Sequence, residues 1–107
     1  MAGLRWNKDF ALEQAADDTD LLQELIEIFK DSCANDFNLI KAGIVKQDAE
    51  QISSAAHSIK GAAASLGIEG IKDVVLEMEK DSRAGGIEVA KKLLPDLEIL
   101  LAELKNL

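Results

Sequence analysis

The chain has 107 residues, 48% hydrophobic and 4% aromatic, with one Pro, one Cys and no Tyr. That length suits one domain with a single continuous core; a lone Cys33 excludes an internal disulfide, and one His with one Cys excludes an ordinary closed zinc site. Twelve basic against twenty acidic residues give a formal charge of −8, a field that repels nucleic acid and anionic membranes.

The opening MAGLRWNKDF has no long apolar run, and no stretch approaches the ~18 apolar residues of a membrane span. The expectation is a cytoplasmic domain with no membrane insertion. Residues 1–6 read as an N-terminal tail or linker and residues 7–107 as one helical domain. Abundant Ala, Leu, Ile, Glu and Lys without β-branched alternation make the chain all-α.

The predicted elements follow in order. A short helix fits 7–16, opened by Asn7, with Trp6, Phe10, Leu12 and Ala15 as its apolar side. The Asp17-Asp18-Thr19-Asp20 cluster ends it and caps the next helix. From 20 to 45, Leu22, Ile26, Phe29, Cys33, Phe37, Ile40 and Ile44 recur at steps of three or four, the mark of one long amphipathic helix. Gly43 and Asn35 argue weakly against its continuity, and Cys33 reads as a small core residue.

After a turn at Lys46-Gln47-Asp48, a third helix should run 48–66 and stop at Gly67, where a left-handed cap is usual. A fourth fits 68–84, with Ile68, Ile71, Val75 and Met78 on one face and Gly85-Gly86 as terminator. A fifth fits 87–105, carrying Ala90, Leu93, Leu94, Leu97, Leu100, Leu101 and Leu104, with Pro95 predicting a kink or a broken first part. Four long amphipathic helices with short connections predict an antiparallel up-down-up-down bundle, with the short N-terminal helix across one end.

Residues 55–67, AAHSIKGAAASLG, hold the only histidine and an unforced glycine inside a helix. On a wheel of about 100° per residue with Ile52 at zero, Ala55, Ala56, Ile59, Ala62, Ala63 and Leu66 fall mostly within about 60° of it. His57 lies at about 140° and should face outward. Its surface neighbours are Ser53 one turn before, Lys60 and Gly61 one turn after and Ala64 two turns after. Three of these four are small, leaving a low-relief patch on which a protein partner could bring a reactive group to the ring.

A neutral imidazole offers one ring nitrogen as a nucleophile, and the Lys60 ammonium suits a bound phosphoryl oxygen. The chain lacks a phosphate-binding G-x-x-x-x-G-K-[ST] loop and a G-x-G-x-x-G loop, so any phosphate must come from another protein. Hydrolysis of the serine-protease kind fails for want of a shielded, pre-positioned base.

HSIKGAAASLG, with His57, Lys60, Gly61 and Gly67, resembles the H-x-[LI]-K-G-x-x-x-x-x-G signature of histidine-containing phosphotransfer (HPt) domains of bacterial multistep phosphorelays. The resemblance extends through DDTDLLQELIEIFKDS, through LEMEKDSRAGG and into the leucine-rich end. It implies that His57 is the phosphoacceptor through Nε2, that Lys60 stabilises the phosphoryl group, and that Gly61 keeps the approach to the ring clear. It implies too that Glu79 orients His57 through its other nitrogen. Ser53, Gly61 and Ala64 would take part in docking.

The implied partners are response-regulator receiver domains, one of a hybrid sensor histidine kinase and one of a downstream regulator. Mg²⁺ would sit on the receiver, with no cofactor in this chain, which would act as a monomeric carrier without autokinase activity. The chain departs from the family in AADDTD, where relatives often have a glycine pair, in Pro95, and in Ala62-Ala63-Ala64, where several relatives carry Ser. Ser58 and Ser65 should lie off the side of His57. The rival reading is a helical adaptor of the same fold in which His57 is never phosphorylated.

Overall fold

In the computed structural model, which describes residues 3–107, three helices begin at short polar side chains that satisfy otherwise free amides. Asn7 accepts from the Phe10 N–H at 3.1 Å and opens α1 (Lys8–Gln14). Asp18 accepts from the Asp20 and Leu21 N–H groups and opens α2 (Thr19–Lys46). Asp48 accepts from the Gln51 N–H at 3.0 Å and opens α3 (Ala49–Ser65). At α4 (Glu69–Arg83) and α5 (Glu88–Leu104) the N-cap residues are Ile68 and Ile87, which cannot cap. Asp81 reaches across the last turn instead, its Oδ2 accepting from the Val89 N–H at 3.2 Å.

Three helices end in the same way. Gln47 (φ 59), Gly67 (φ 68) and Gly85 (φ 92) adopt the left-handed region. The amide that follows each one bonds a carbonyl five residues back: Asp48 to Gly43 at 2.8 Å, Ile68 to Ala63 at 2.9 Å and Gly86 to Asp81 at 3.0 Å. Glycine accepts that backbone freely, whereas Gln47 does so at a cost. The turn after α1 is tighter, with Ala16 and Asp17 both at positive φ, so α1 stops at Gln14 rather than Ala16.

The helices close a four-membered ring in which α2 packs on α3, α3 on α4, α4 on α5, and α5 back on α2. This is the up-down-up-down bundle that the sequence predicts, and 28 residues of α2 at 1.5 Å each account for its 42 Å length. Leu22, Ile26, Phe29, Cys33, Phe37 and Ile40 line the core as expected, with Ile52, Ile59, Ile71, Val75, Met78, Leu97, Leu100 and Leu104 opposite them. α2 is unbroken at Gly43, which serves close approach: a Cβ there would lie 2.8 Å from Ile52 Cγ1.

Two further expectations need correction. The buried residues of α1 and its C-cap are Ala11 and Ala15, whereas Phe10 is 36% exposed, because α1 lies across the end of the bundle and covers it with its small side chains. α5 also runs unbroken through Pro95. Both Pro95 and Lys91, whose carbonyl loses its usual donor there, are exposed, so water can satisfy that carbonyl.

Residues 1 and 2 of the expected tail lie outside the described residues. From Leu4 the chain docks on the α3–α4 turn. The Gly70 N–H donates to the Leu4 carbonyl at 2.7 Å, the Asn7 N–H to the Gly67 carbonyl at 2.8 Å, and the Trp6 indole to the Leu66 carbonyl at 2.9 Å. Gly70 permits this contact, since a Cβ there would collide with the backbone of Leu4. The segment thereby ties down the turn joining the two helices that carry the site.

Candidate functional site

The inner face of α3 is built from Ile52, Ala55, Ala56, Ile59 and Ala63, all buried. Small side chains let α4 approach closely, and that proximity brings a residue of α4 within reach of the outer edge of α3. Glu79 lies in the inward stripe of α4 with Ile71, Val75, Met78 and Ser82, and is 2% exposed.

A carboxylate so placed needs partners, and Glu79 has three. Its Oε2 lies 2.7 Å from His57 Nδ1, its Oε1 accepts from Lys60 Nζ at 2.6 Å, and the Arg83 guanidinium forms an ion pair with Oε2 at 3.2 Å. Burial is the largest single influence on this carboxyl and pushes its pKa up. The hydrogen bonds from Lys60 and His57 and the charges of Lys60 and Arg83 together outweigh it and bring the value below the ordinary 4.5.

His57 combines a fixed edge with a free one. Its side chain is 60% exposed although Nδ1 is held by a buried group. An ionised carboxylate can only accept, so Nδ1 carries the proton. In the neutral ring Nε2 then holds the lone pair, and among the described residues it has no hydrogen-bond partner. The arrangement presents a nucleophilic nitrogen to solvent in one tautomer and one orientation.

The expected neighbours are distributed as follows. Gly61 and Ala64 are exposed and Ser53 is half-buried. A Cβ added at Gly61 would meet nothing within 4 Å, so the space beside the ring is open. Ser58 and Ser65 are exposed as well, and Ser65 Oγ donates to the Gly61 carbonyl at 3.1 Å. Lys60 is half-buried and occupied with Glu79 rather than free in solution.

Arg83 was not among the residues singled out from sequence. The signal was present, since it lies four residues after Glu79 on one helix, the spacing of a side-chain pair. The burial of Glu79 was equally readable from its place eight residues after Ile71 and four after Val75. Among the described residues no cluster of three His, Cys, Asp or Glu side chains could hold a metal ion.

The Hpt domain family model matches residues 24–107, most of the chain and all four residues of this constellation. The chain belongs to the Hpt domain family. A solved structure titled as the HPt domain from the Hpt sensor hybrid histidine kinase from Shewanella has the same fold. Its TM-score is 0.77 and its identity 21%, over 95% of this chain and 92% of that one. No curated protein matches the chain. Hpt domains are phosphotransfer carriers of phosphorelay signal transduction, and the exposed, carboxylate-held His57 lies within the matched residues. No helix among the described residues is long and apolar enough to cross a membrane.

Proposed function

We propose that this Hpt domain accepts a phosphoryl group from the phosphoaspartate of a receiver domain onto Nε2 of His57 and passes it to a second receiver aspartate. The observation that carries the reading is the 2.7 Å contact between Nδ1 and buried Glu79 on a ring that remains 60% exposed. In the forward step the Nε2 lone pair attacks phosphorus, the P–O bond to the aspartate breaks, and the carboxylate leaves with the bonding pair. No proton moves. The ring keeps its Nδ1–H and becomes positively charged, and the Glu79 carboxylate stabilises that charge.

The return step is the mirror image, with the second aspartate as nucleophile and neutral imidazole as leaving group. In this reading Lys60 stabilises the phosphoryl oxygens, and Mg²⁺ is carried by the acidic site of the receiver. The open surface at Gly61 and Ala64, with Ser53 behind it, admits the partner. The domain serves as a monomeric carrier between the receiver of a hybrid sensor kinase and that of a downstream regulator, and performs no autokinase step.

The test is incubation with a panel of receiver domains carrying labelled phosphoaspartate. The expected result is acid-labile, alkali-stable label in this chain that is absent from His57→Gln. The adaptor reading expects receiver binding without label, and no label from any receiver in the panel would sink the proposal.

A further inference from the structure

Lys60 has two claims on its ammonium. In the unphosphorylated protein it stands 2.6 Å from Glu79 Oε1, so the cation assigned to the phosphoryl group is already engaged. A phosphoryl group on Nε2 carries nearly two negative charges and draws Lys60 away. A carboxylate only 2% exposed would then lose a cation, and a buried charge is costly unless it stays paired.

Arg83 is placed to meet that loss. Its guanidinium already lies 3.2 Å from Glu79 Oε2, and its side chain is 65% exposed, so it has room to adjust. Lys60 follows His57 by one turn on α3, and Arg83 follows Glu79 by one turn on α4. Because α3 and α4 run antiparallel, the two cations flank the His57–Glu79 pair from opposite ends. Arg83 opens on the cleft formed with Ser53, Ser54 and Ser82, away from Lys60. The planar fork of Arg can serve both carboxylate oxygens, which suits a residue that must take over an oxygen another cation gives up.

We infer that Arg83 is a positioning residue that keeps the buried Glu79 charge paired while Lys60 moves from Glu79 to the phosphoryl group. This rests on the reading of His57 as phosphoacceptor. Without Arg83, Glu79 retains Lys60 and the phosphoryl group loses its cation. Arg83 therefore acts through Lys60, and the two residues form one exchange rather than two independent contacts.

The experiment is a double-mutant cycle on the lifetime of phosphohistidine, with the protein phosphorylated by the small donor phosphoramidate. Arg83→Gln should change the first-order rate of phosphoryl loss roughly three- to tenfold, in the same direction as Lys60→Ala, and should add almost nothing in the Lys60→Ala background. Arg83→Lys, which keeps the charge but loses the fork, should give a lifetime between those of Arg83→Gln and wild type, and helix content should be unchanged throughout. An unchanged lifetime in either single variant, or single effects that multiply in the double variant, overturns the inference while leaving His57 as acceptor. A wild-type protein that takes no phosphoryl group on His57 overturns the underlying reading and this inference with it.

Discussion

Glu79 holds His57 by Nδ1 at 2.7 Å from a position that is itself almost wholly buried, so the ring of a mostly exposed histidine is anchored from the protein interior. The bond fixes both the tautomer and the aim of Nε2. A freely rotating surface histidine would have neither.

The first expectation concerns that bond. Glu79→Gln preserves shape but removes the charge that stabilises the phosphorylated ring, and Glu79→Met removes the acceptor altogether. Transfer to His57 should slow on the order of tenfold in the first and more in the second, as when an orienting carboxylate is lost from a metal-bound histidine. Stability should fall by no more than about 1–3 kcal/mol, because Lys60 and Arg83 can turn to water once released. Transfer kinetics and urea denaturation of the same variants check both statements.

The same carboxyl makes stability depend on acid. Its folded-state pKa lies below the ordinary 4.5, so the ionised form contributes stability above that value. The contribution is lost as pH falls from about 4.5 through the lower folded-state value. Thermal melts across this window should therefore fall more steeply for wild type than for Glu79→Gln. Parallel slopes would remove Glu79 from the acid response.

At Gly61 the structure separates folding from function. A side chain there meets open space, and α-helical glycine costs about 1 kcal/mol relative to alanine. Gly61→Ala should raise stability by about that amount, and Gly61→Leu should fold at least as well as wild type. Both should transfer more slowly from a receiver, Leu more so, because the added atoms stand where the partner must approach. Equilibrium denaturation and transfer rates measured side by side test the pairing.

Gln47 offers a purely structural check. It is the only one of the three left-handed helix terminators that is not glycine, with φ 59. Gln47→Gly should stabilise the protein by roughly 0.5–1 kcal/mol, the strain relieved less the added freedom of the unfolded chain. Gln47→Val should do the reverse, since a β-branched side chain resists this backbone. Chemical denaturation reads both, with transfer unaffected.

The bundle was legible because its determinants are local and periodic. Leu22 through Ile40 recur at helical steps, Asp18 and Asp48 cap where short acidic side chains precede apolar runs, and Gly67 ends α3 in the left-handed region. The docking of Leu4 to Trp6 was not legible, because it depends on backbone bonds to a turn some 60 residues away that leave no periodic trace. Pro95 misled because its cost depends on whether Lys91 faces water, which is a tertiary fact.

The site divides in the same way. The outward aim of His57 and its small neighbours follow from one helix wheel. Pairing Lys60 with Glu79 requires the relative register of α3 and α4, set by Ala55, Ala56 and Ala63 packing against the neighbouring helices. Arg83 could have been found by asking which cation lies one turn from a carboxylate that falls in an apolar stripe.

The central claim, that His57 takes the phosphoryl group on Nε2 while Glu79 keeps Nδ1–H, is tested most directly by long-range ¹H–¹⁵N correlation of the imidazole. The protein would be uniformly labelled and compared before and after incubation with a phosphorylated receiver. The expected spectrum after transfer shows phosphorus bound at Nε2 and a proton retained at Nδ1, with no such change in His57→Gln. Phosphorus at Nδ1, phosphorylation elsewhere in the chain, or an unmodified imidazole after incubation would contradict the claim.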